Sequence, residues 1–181
     1  MKRKNLYLIL IMLLLPTIIF CDILVPMDSV QTDHLKAYGL VYWTLKNYDK
    51  PCEWLLNYRD GSFLIPDTNE IRGKAGLLGV KIEVVSPEKT LRIFETINEN
   101  NMERVILEKA PKVAVYTPMG NYLQGSKYDP LEPWDDAVIL ALEYAEIPYD
   151  KIYDRGVLAG KLDKYDWVHL HHEDFTGQYG K

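Results

Sequence analysis

Apolar and polar positions alternate along residues 22–110 in a pattern that predicts short strands separated by amphipathic helices. Residues 23–25 are an apolar run that predicts the first strand. A helix is predicted over 34–46, because apolar residues recur there at helical spacing after a capping Thr32 or Asp33. The chain therefore opens as a strand followed by a helix.

The next strands are predicted from β-branched and aromatic runs bounded by turn residues. Residues 53–58 predict a strand, and residues 59–62 predict a tight turn because Asp-Gly supplies positive-φ positions. Residues 63–65 fit either a strand or a loop. Alternation of apolar and charged residues over 80–84 predicts a half-buried strand.

Two further helices are predicted in this region. One covers 69–78 and stops at Gly79, and the other starts at Ser86-Pro87-Glu88, which combines a capping hydroxyl with proline at the first helical position. Residues 102–107 predict another turn or two of helix. The positions predicted to face the core are Leu35, Tyr38, Gly39, Tyr42 and Leu45 in the first helix, and Leu91, Phe94 and Ile97 in the third.

Beyond Pro111 the pattern becomes a regular strand–helix alternation. Strands are predicted at 113–116, 149–153 and 166–171, with a long loop at 117–132, a helix that opens at Pro133 or Trp134, and a short helix at 157–162. The helix is predicted to face the core with Ala137, Leu140, Ala141, Tyr144 and Ala145. This β-α-β-α-β order over 112–172 predicts parallel strands with right-handed crossovers.

Because residues 22–99 also alternate strands with helices, we predict an α/β fold with a mostly parallel sheet flanked by helices, in flavodoxin-like layering. Pro111 is the best candidate boundary. It divides an N-terminal α/β region, 22–110, from a second region, 111–181.

The first 21 residues predict a signal peptide. Lys2, Arg3 and Lys4 are a positive start, and the apolar run 6–20 is shorter than a membrane span. Cleavage after Cys21, lipidation of Cys21, and retention as an uncleaved anchor all remain open. We therefore predict export to the periplasm or cell envelope, with membrane contact only through this segment or a lipid anchor.

Composition narrows the possible partners. With 26 acidic and 21 basic residues, the chain lacks the basic face that nucleic acid binding needs. A hydrophobic fraction of 48% is enough to build a core, and two cysteines do not make a disulfide framework. We predict a small-molecule ligand and no nucleic acid, whereas the cofactor and the oligomeric state are left open.

Titratable side chains cluster at the end of the last predicted strand. Open α/β sheets place their ligand sites at this position, and imidazoles titrate near neutral pH. The residues predicted to be catalytic are His171, His172, Glu173 and Asp174. An alternative is that these residues only pack and cap a loop.

A metal site is a second hypothesis for the same cluster. His169 and His171 lie on one face of the predicted strand together with Trp167, and two such imidazoles with a nearby carboxylate can bind Zn²⁺. Asp135 and Asp136 are further acidic candidates, although their place in the first turn of a helix explains them without a function.

Four sequence runs carry a family resemblance. They are Leu35-Lys36-Ala37-Tyr38-Gly39, Trp54-Leu55-Leu56-Asn57-Tyr58-Arg59, Glu132-Pro133-Trp134-Asp135-Asp136 and His169-Leu170-His171-His172-Glu173-Asp174-Phe175-Thr176-Gly177-Gln178. These runs resemble an exported bacterial family often labelled asparagine synthetase B. The order of elements over 112–172 also resembles the opening half of a class I glutamine amidotransferase-like domain.

The resemblance implies an amidotransferase-like or hydrolase-like enzyme, and the alternative is a non-catalytic ligand-binding or interaction module. Asparagine synthesis itself is not predicted, because an N-terminal cysteine nucleophile on a glutaminase domain and a Ser-Gly-Gly pyrophosphate loop are missing from the sequence. In amidotransferases the nucleophile follows a later strand, so we expect the chain ending at Lys181 to be a fragment.

Overall fold

The computed structural model describes residues 21–116 and 137–170, which form two β-sheets with helices packed against them. The strands are β1 (Asp22–Val25), β2 (Cys52–Leu56), β3 (Phe63–Pro66), β4 (Glu83–Val85), β5 (Glu103–Leu107), β6 (Val113–Tyr116), β7 (Tyr149–Ile152) and β8 (Trp167–His169). The α-helices are α1 (His34–Asn47), α2 (Asn69–Leu78), α3 (Pro87–Glu99), α4 (Ala137–Tyr144) and α5 (Asp154–Leu158), with 3₁₀ helices at Tyr58–Asp60 and Lys161–Lys164.

The first sheet is antiparallel throughout, in the order β4-β1-β3-β2-β5. The prediction of a mostly parallel, flavodoxin-like sheet is therefore wrong. Each crossover helix does join two strands that run the same way, but β3 lies between β1 and β2, and β1 lies between β3 and β4. The first six elements have the β-α-β-β-α-β arrangement of ferredoxin-like folds, and β5 extends the sheet beyond β2.

Both faces of the first sheet are covered, which explains why β1 is apolar at successive positions. Ile23 and Val25 pack against α1 and α2 on one face, whereas Leu24 packs against α3 on the other. All three side chains are fully buried. The helical side chains in these two cores include Ala37, Leu40, Val41, Ile71 and Ala75 on the first face, and Ile93 and Ile97 on the second.

Local capping sets the helix boundaries, and here the predictions are confirmed. The Asp33 side chain accepts a hydrogen bond from the backbone N–H of Lys36 at 2.9 Å, and Ser86 caps α3 in the same way. The second helix covers 69–78 as predicted and ends at Gly79, which has φ 71°.

The predicted inward faces of the helices are wrong in part. Leu35 and Tyr38 are more than 40% exposed and Leu91 is 61% exposed, while only Ile97 of α3 is fully buried as predicted. The sheet instead contacts the neighbouring stripe of α1, which carries Ala37, Leu40 and Val41. The strand predicted over 80–84 is also wrong in part, because β4 covers only Glu83–Val85, and Val84 is 46% exposed whereas Val85 is buried.

Residues 103–107 are a strand, so the predicted helical turns at 102–107 are wrong. This strand, β5, pairs antiparallel with β2 along its full length, from Cys52↔Leu107 to Leu56↔Glu103. The pairing partner lies about fifty residues earlier in the sequence. Its β-branched run is stabilised by this non-local ladder and not by local helix formation.

The second sheet has the order β7-β6-β8 with all pairs parallel, which confirms the strand directions predicted for residues 112–170. Ile139 and Leu142 of α4 pack on Val113 and Val115. The predicted inward residues Leu140 and Tyr144 are half exposed whereas Ala145 is buried, so the predicted face is wrong in part. The predicted loop at 117–132 and the predicted helix start at Pro133 or Trp134 lie outside the described residues.

The two sheets meet where α1 crosses the end of α4. A Cβ atom on Gly39 would lie 1.9 Å from the carbonyl oxygen of Ala145, so the two backbones are in direct contact. The next residue, Glu146, has φ 58°, and its carboxylate accepts hydrogen bonds from Lys36 at 3.0 Å and Lys74 at 2.7 Å. These bonds hold the pKa of Glu146 below its usual range.

The turn between β2 and β3 is confirmed, and it carries an ion-pair network centred on Arg59. Arg59 has φ 48° and donates to Asp28 at 2.6 Å and to Glu83 at 2.6 Å. The hydrogen bonds from Arg59 lower the pKa of Asp28 and of Glu83. The guanidinium of Arg59 thereby connects the turn to Asp28, in the segment after β1, and to Glu83 in β4.

Candidate functional site

A cavity of about 590 Å³ lies at the carboxyl edge of the parallel sheet. The edge forms because β6 ends at Tyr116, β7 leads into Asp154 and β8 leads into Leu170. The residues that line the cavity are Tyr116, Asp154, Val157, Leu158, Leu162, Val168 and Leu170. This is the edge at which open α/β sheets bind ligands.

Among the described lining residues, the cavity has apolar walls and one polar pair. The hydroxyl of Tyr116 donates a hydrogen bond to Oδ1 of Asp154 at 2.5 Å. Leu158 is 88% exposed and Leu170 is 47% exposed, so the walls can be reached from solvent. The arrangement can hold an apolar group while the hydroxyl–carboxylate pair fixes its orientation.

Only part of the predicted site lies in the described residues. His169 is in β8, and its ring contacts Trp167 edge to face with centroids 6.1 Å apart, which confirms that these two residues share a face. The four residues predicted to be catalytic, His171, His172, Glu173 and Asp174, lie outside the described residues, and their role stays a prediction.

The metal hypothesis is likewise not decided. Within 21–116 and 137–170, no group of three or more His, Cys, Asp or Glu side chains is placed to hold a metal ion. The predicted pair includes His171, which is outside these ranges, as are Asp135 and Asp136. Nε2 of His34 lies 2.9 Å from the carbonyl oxygen of Met27, so this imidazole has a structural partner.

Cys52 does not supply an activated nucleophile. Cys52 is fully buried in the first sheet, and burial raises the pKa of its thiol to about 12. It therefore stays protonated and unreactive at neutral pH. Cys21, immediately before β1, is half-buried, and both thiols are free.

Asp22 lies in a smaller polar pocket of about 200 Å³ beside Cys21. Burial raises the pKa of Asp22, and the nearby charges of Glu53 and Asp67 raise it further, against a hydrogen bond from Thr90. The two neighbouring carboxylates are already paired with arginines, Glu53 with Arg104 and Asp67 with Arg72. This acidic cluster is therefore part of the surface ion-pair network of the first sheet.

Another pocket, of about 300 Å³, lies at the junction of the two sheets. The hydroxyl of Tyr42 donates to the carbonyl oxygen of Pro111 at 3.1 Å, and Lys112 approaches Asp150 at 3.9 Å. These contacts connect α1 to the start of β6. The pocket therefore lies along the contact between α1 and the start of β6.

Sequence reasoning missed Tyr116 and Asp154 as a pair. Tyr116 was placed at a strand end, but the short helix was predicted to start at Val157, three residues after Asp154 begins α5. The sequence gives one clue to Asp154 as a site residue, which is its position almost directly after the second parallel strand.

No protein-family model, curated protein or solved structure matches this chain. The class that the fold defines is an α/β protein with an antiparallel five-stranded sheet and a separate three-stranded parallel sheet. Among the described residues, no helix has the length and apolar character needed to cross a membrane.

Proposed function

We propose that this protein is an exported small-molecule-binding module whose site is the cavity at the carboxyl edge of β6 and β8. The observation that carries the proposal is the apolar cavity of about 590 Å³ with a single hydroxyl–carboxylate pair. Ligand sites commonly have volumes of about 300–1,000 Å³, mostly apolar walls and few polar groups.

The chemistry of the walls narrows the ligand class. Val157, Leu158 and Val168 would contact an apolar body. The carboxylate of Asp154 repels an anionic group and accepts hydrogen bonds from a neutral or cationic one. We therefore expect a neutral or cationic compound with a flat or branched apolar part and a hydrogen-bond donor at one end.

Leu158→Lys should weaken binding of the fluorescent amine 1-aminoanthracene by about tenfold, because it removes apolar contact area and places a charge in the wall. Leu77→Lys is the matched control. Leu77 is 87% exposed near the end of α2, as Leu158 is 88% exposed at the end of α5, and Leu77 does not line the cavity. Fluorescence titration measures both, and equal affinities for the two variants would contradict the proposal.

Export is proposed from the positive start Lys2-Arg3-Lys4 and the apolar run 6–20. Intact-mass spectrometry of the protein from its host envelope should show a new N-terminus near Asp22, or a lipidated Cys21 in the membrane fraction. An unprocessed Met1 in the soluble cytoplasmic fraction would contradict export.

An amidotransferase-like or hydrolase-like activity is the second proposal. The observation that favours it is sequence adjacency, since Leu170 lines the cavity and His171 follows it in the chain. The buried thiol of Cys52 offers no nucleophile for such a reaction. The catalytic roles of the four predicted residues therefore stay a prediction.

A further inference from the structure

The strand β5 is one of the two edge strands of the antiparallel sheet, and β4 is the other. It pairs with β2 on one side, and among the described residues no strand pairs with its other side. In an antiparallel strand about half of the backbone N–H and C=O groups point away from the existing partner. Val105 is 37% exposed and Ile106 is 60% exposed, so the edge also presents apolar side chains.

The charges around this edge have an ordered pattern. Glu103 and Arg104 precede the apolar run Val105-Ile106-Leu107, and Glu108 and Lys109 follow it. Charges beside an edge strand often serve only to block pairing. Here, however, the order acid, base, apolar run, acid, base becomes complementary to itself when one copy is reversed.

This complementarity selects one register. When Ile106 of two antiparallel copies lie opposite each other, Val105 faces Leu107, Arg104 faces Glu108 and Glu103 faces Lys109, and the two-fold axis repeats each pair. The smallest shift that keeps opposed side chains on the same face is two residues. Such a shift places Arg104 opposite Ile106 in one direction and Glu108 opposite Ile106 in the other, so either shift breaks the pairs of opposite charge.

Side-chain contacts already hold the basic groups at the edge. Arg104 donates to Glu53 at 2.7 Å and its guanidinium lies 3.4 Å from the ring centroid of Phe94, yet the side chain is 35% exposed. Lys109 forms an ion pair with Asp166 and is 73% exposed. Both are therefore positioned and still accessible to a second copy.

We propose that β5 pairs with β5 of a second copy of this chain, in antiparallel orientation about Ile106, and joins two sheets into one. The outer side of the strand supplies the backbone ladder, and the alternating charges fix the register. The partner is a second copy because the charges of residues 103–109 are complementary to the same residues in antiparallel orientation.

Sedimentation velocity of the full-length protein should show a concentration-dependent dimer. Ile106→Lys should raise its dissociation constant about tenfold or more, because two lysines then face each other across the axis. Val84→Lys, at a 46% exposed valine on the opposite edge strand β4, should leave the constant unchanged. A monomer at every concentration, or equal effects of the two substitutions, would overturn the proposal.

A charge exchange tests the register independently of folding. Lys109→Glu and Glu103→Lys each place like charges opposite each other in the homodimer, so each should weaken self-association severalfold. A 1:1 mixture of the two variants should restore it, because positions 103 and 109 of one variant are then both acidic and face two basic positions of the other. If mixing restores nothing while circular dichroism shows both variants folded, this register is wrong.

Discussion

Gly39→Ala is expected to destabilise the contact between the two sheets. The new Cβ would lie 1.9 Å from the carbonyl oxygen of Ala145, which is a backbone atom and cannot rotate away. Overpacking costs about 1–3 kcal/mol or more, whereas alanine in a helix gains about 1 kcal/mol over glycine. Because an overlap at 1.9 Å with a backbone atom belongs at the upper end of this range, we expect a net loss of about 2 kcal/mol in the free energy of unfolding.

The loss should extend beyond the immediate overlap. Moving α4 away from α1 lengthens the contacts of Glu146 with Lys36 and Lys74, and the hydrogen bond from Tyr144 to Asp33, which is 2.5 Å long. The side chain of Glu146 is 49% exposed, so solvent screens its ion pairs and the steric term dominates. Hydrogen exchange should therefore rise over 137–170 more than over β1 and β3.

Gly73→Ala is the matched control for this substitution. Gly73 is also a helical glycine, but a Cβ there meets nothing within 4 Å. It should stabilise the protein by about 0.5–1 kcal/mol in urea unfolding. If Gly39→Ala behaves like Gly73→Ala, α1 and α4 are not in the contact described above.

Asp28→Asn is expected to have the second-largest effect, with a loss of about 1–2 kcal/mol in the free energy of unfolding at pH 7. The substitution removes the charged acceptor that Arg59 contacts at 2.6 Å. The side chains of Arg59 and Asp28 are about a quarter exposed, at 24% and 25%, so solvent screens part of the interaction. Asp150→Asn, in a half-exposed pair 3.9 Å apart, is the control and should change little.

The same network predicts acid sensitivity. Arg59 lowers the pKa of Asp28 and of Glu83 in the folded state, so their contribution is present above the unfolded values near 4. It is lost as the pH falls through the lowered folded values. Urea midpoints should drop below about pH 4 in the wild type and drop less in Asp28→Asn. Parallel curves for both proteins would contradict this assignment.

The sequence predicted the parts of the fold that are decided locally. Asp33, Gly79 and Ser86 each mark a helix end through bonds to residues within a few positions, and all three predictions are confirmed. Strand order is decided by pairs far apart in sequence. The same alternation of strands and helices fits a parallel sheet or an antiparallel one, depending on whether the hairpin strand β3 inserts between β1 and β2.

The candidate site was predictable as a place but not as a set of side chains. Parallel strands bring their carboxyl ends together, and this rule located the edge correctly for β6 and β8. The pairing of Tyr116 with Asp154 depends on how α5 turns after β7, and no periodicity in the sequence encodes that angle. The inward face of α1 could not be predicted for a related reason. Two adjacent faces of this helix carry apolar residues, and only packing on the sheet decides which of them is buried.

The position of β1 has a consequence for biosynthesis. The strand starts at Asp22, directly after Cys21, and lies between β3 and β4 with Ile23 fully buried. A processing peptidase acts on an accessible, extended segment. If the leader is removed near Cys21, cleavage before β1 pairs with β3 and β4 would present the peptidase with an extended segment. Completion of the first sheet would then follow translocation.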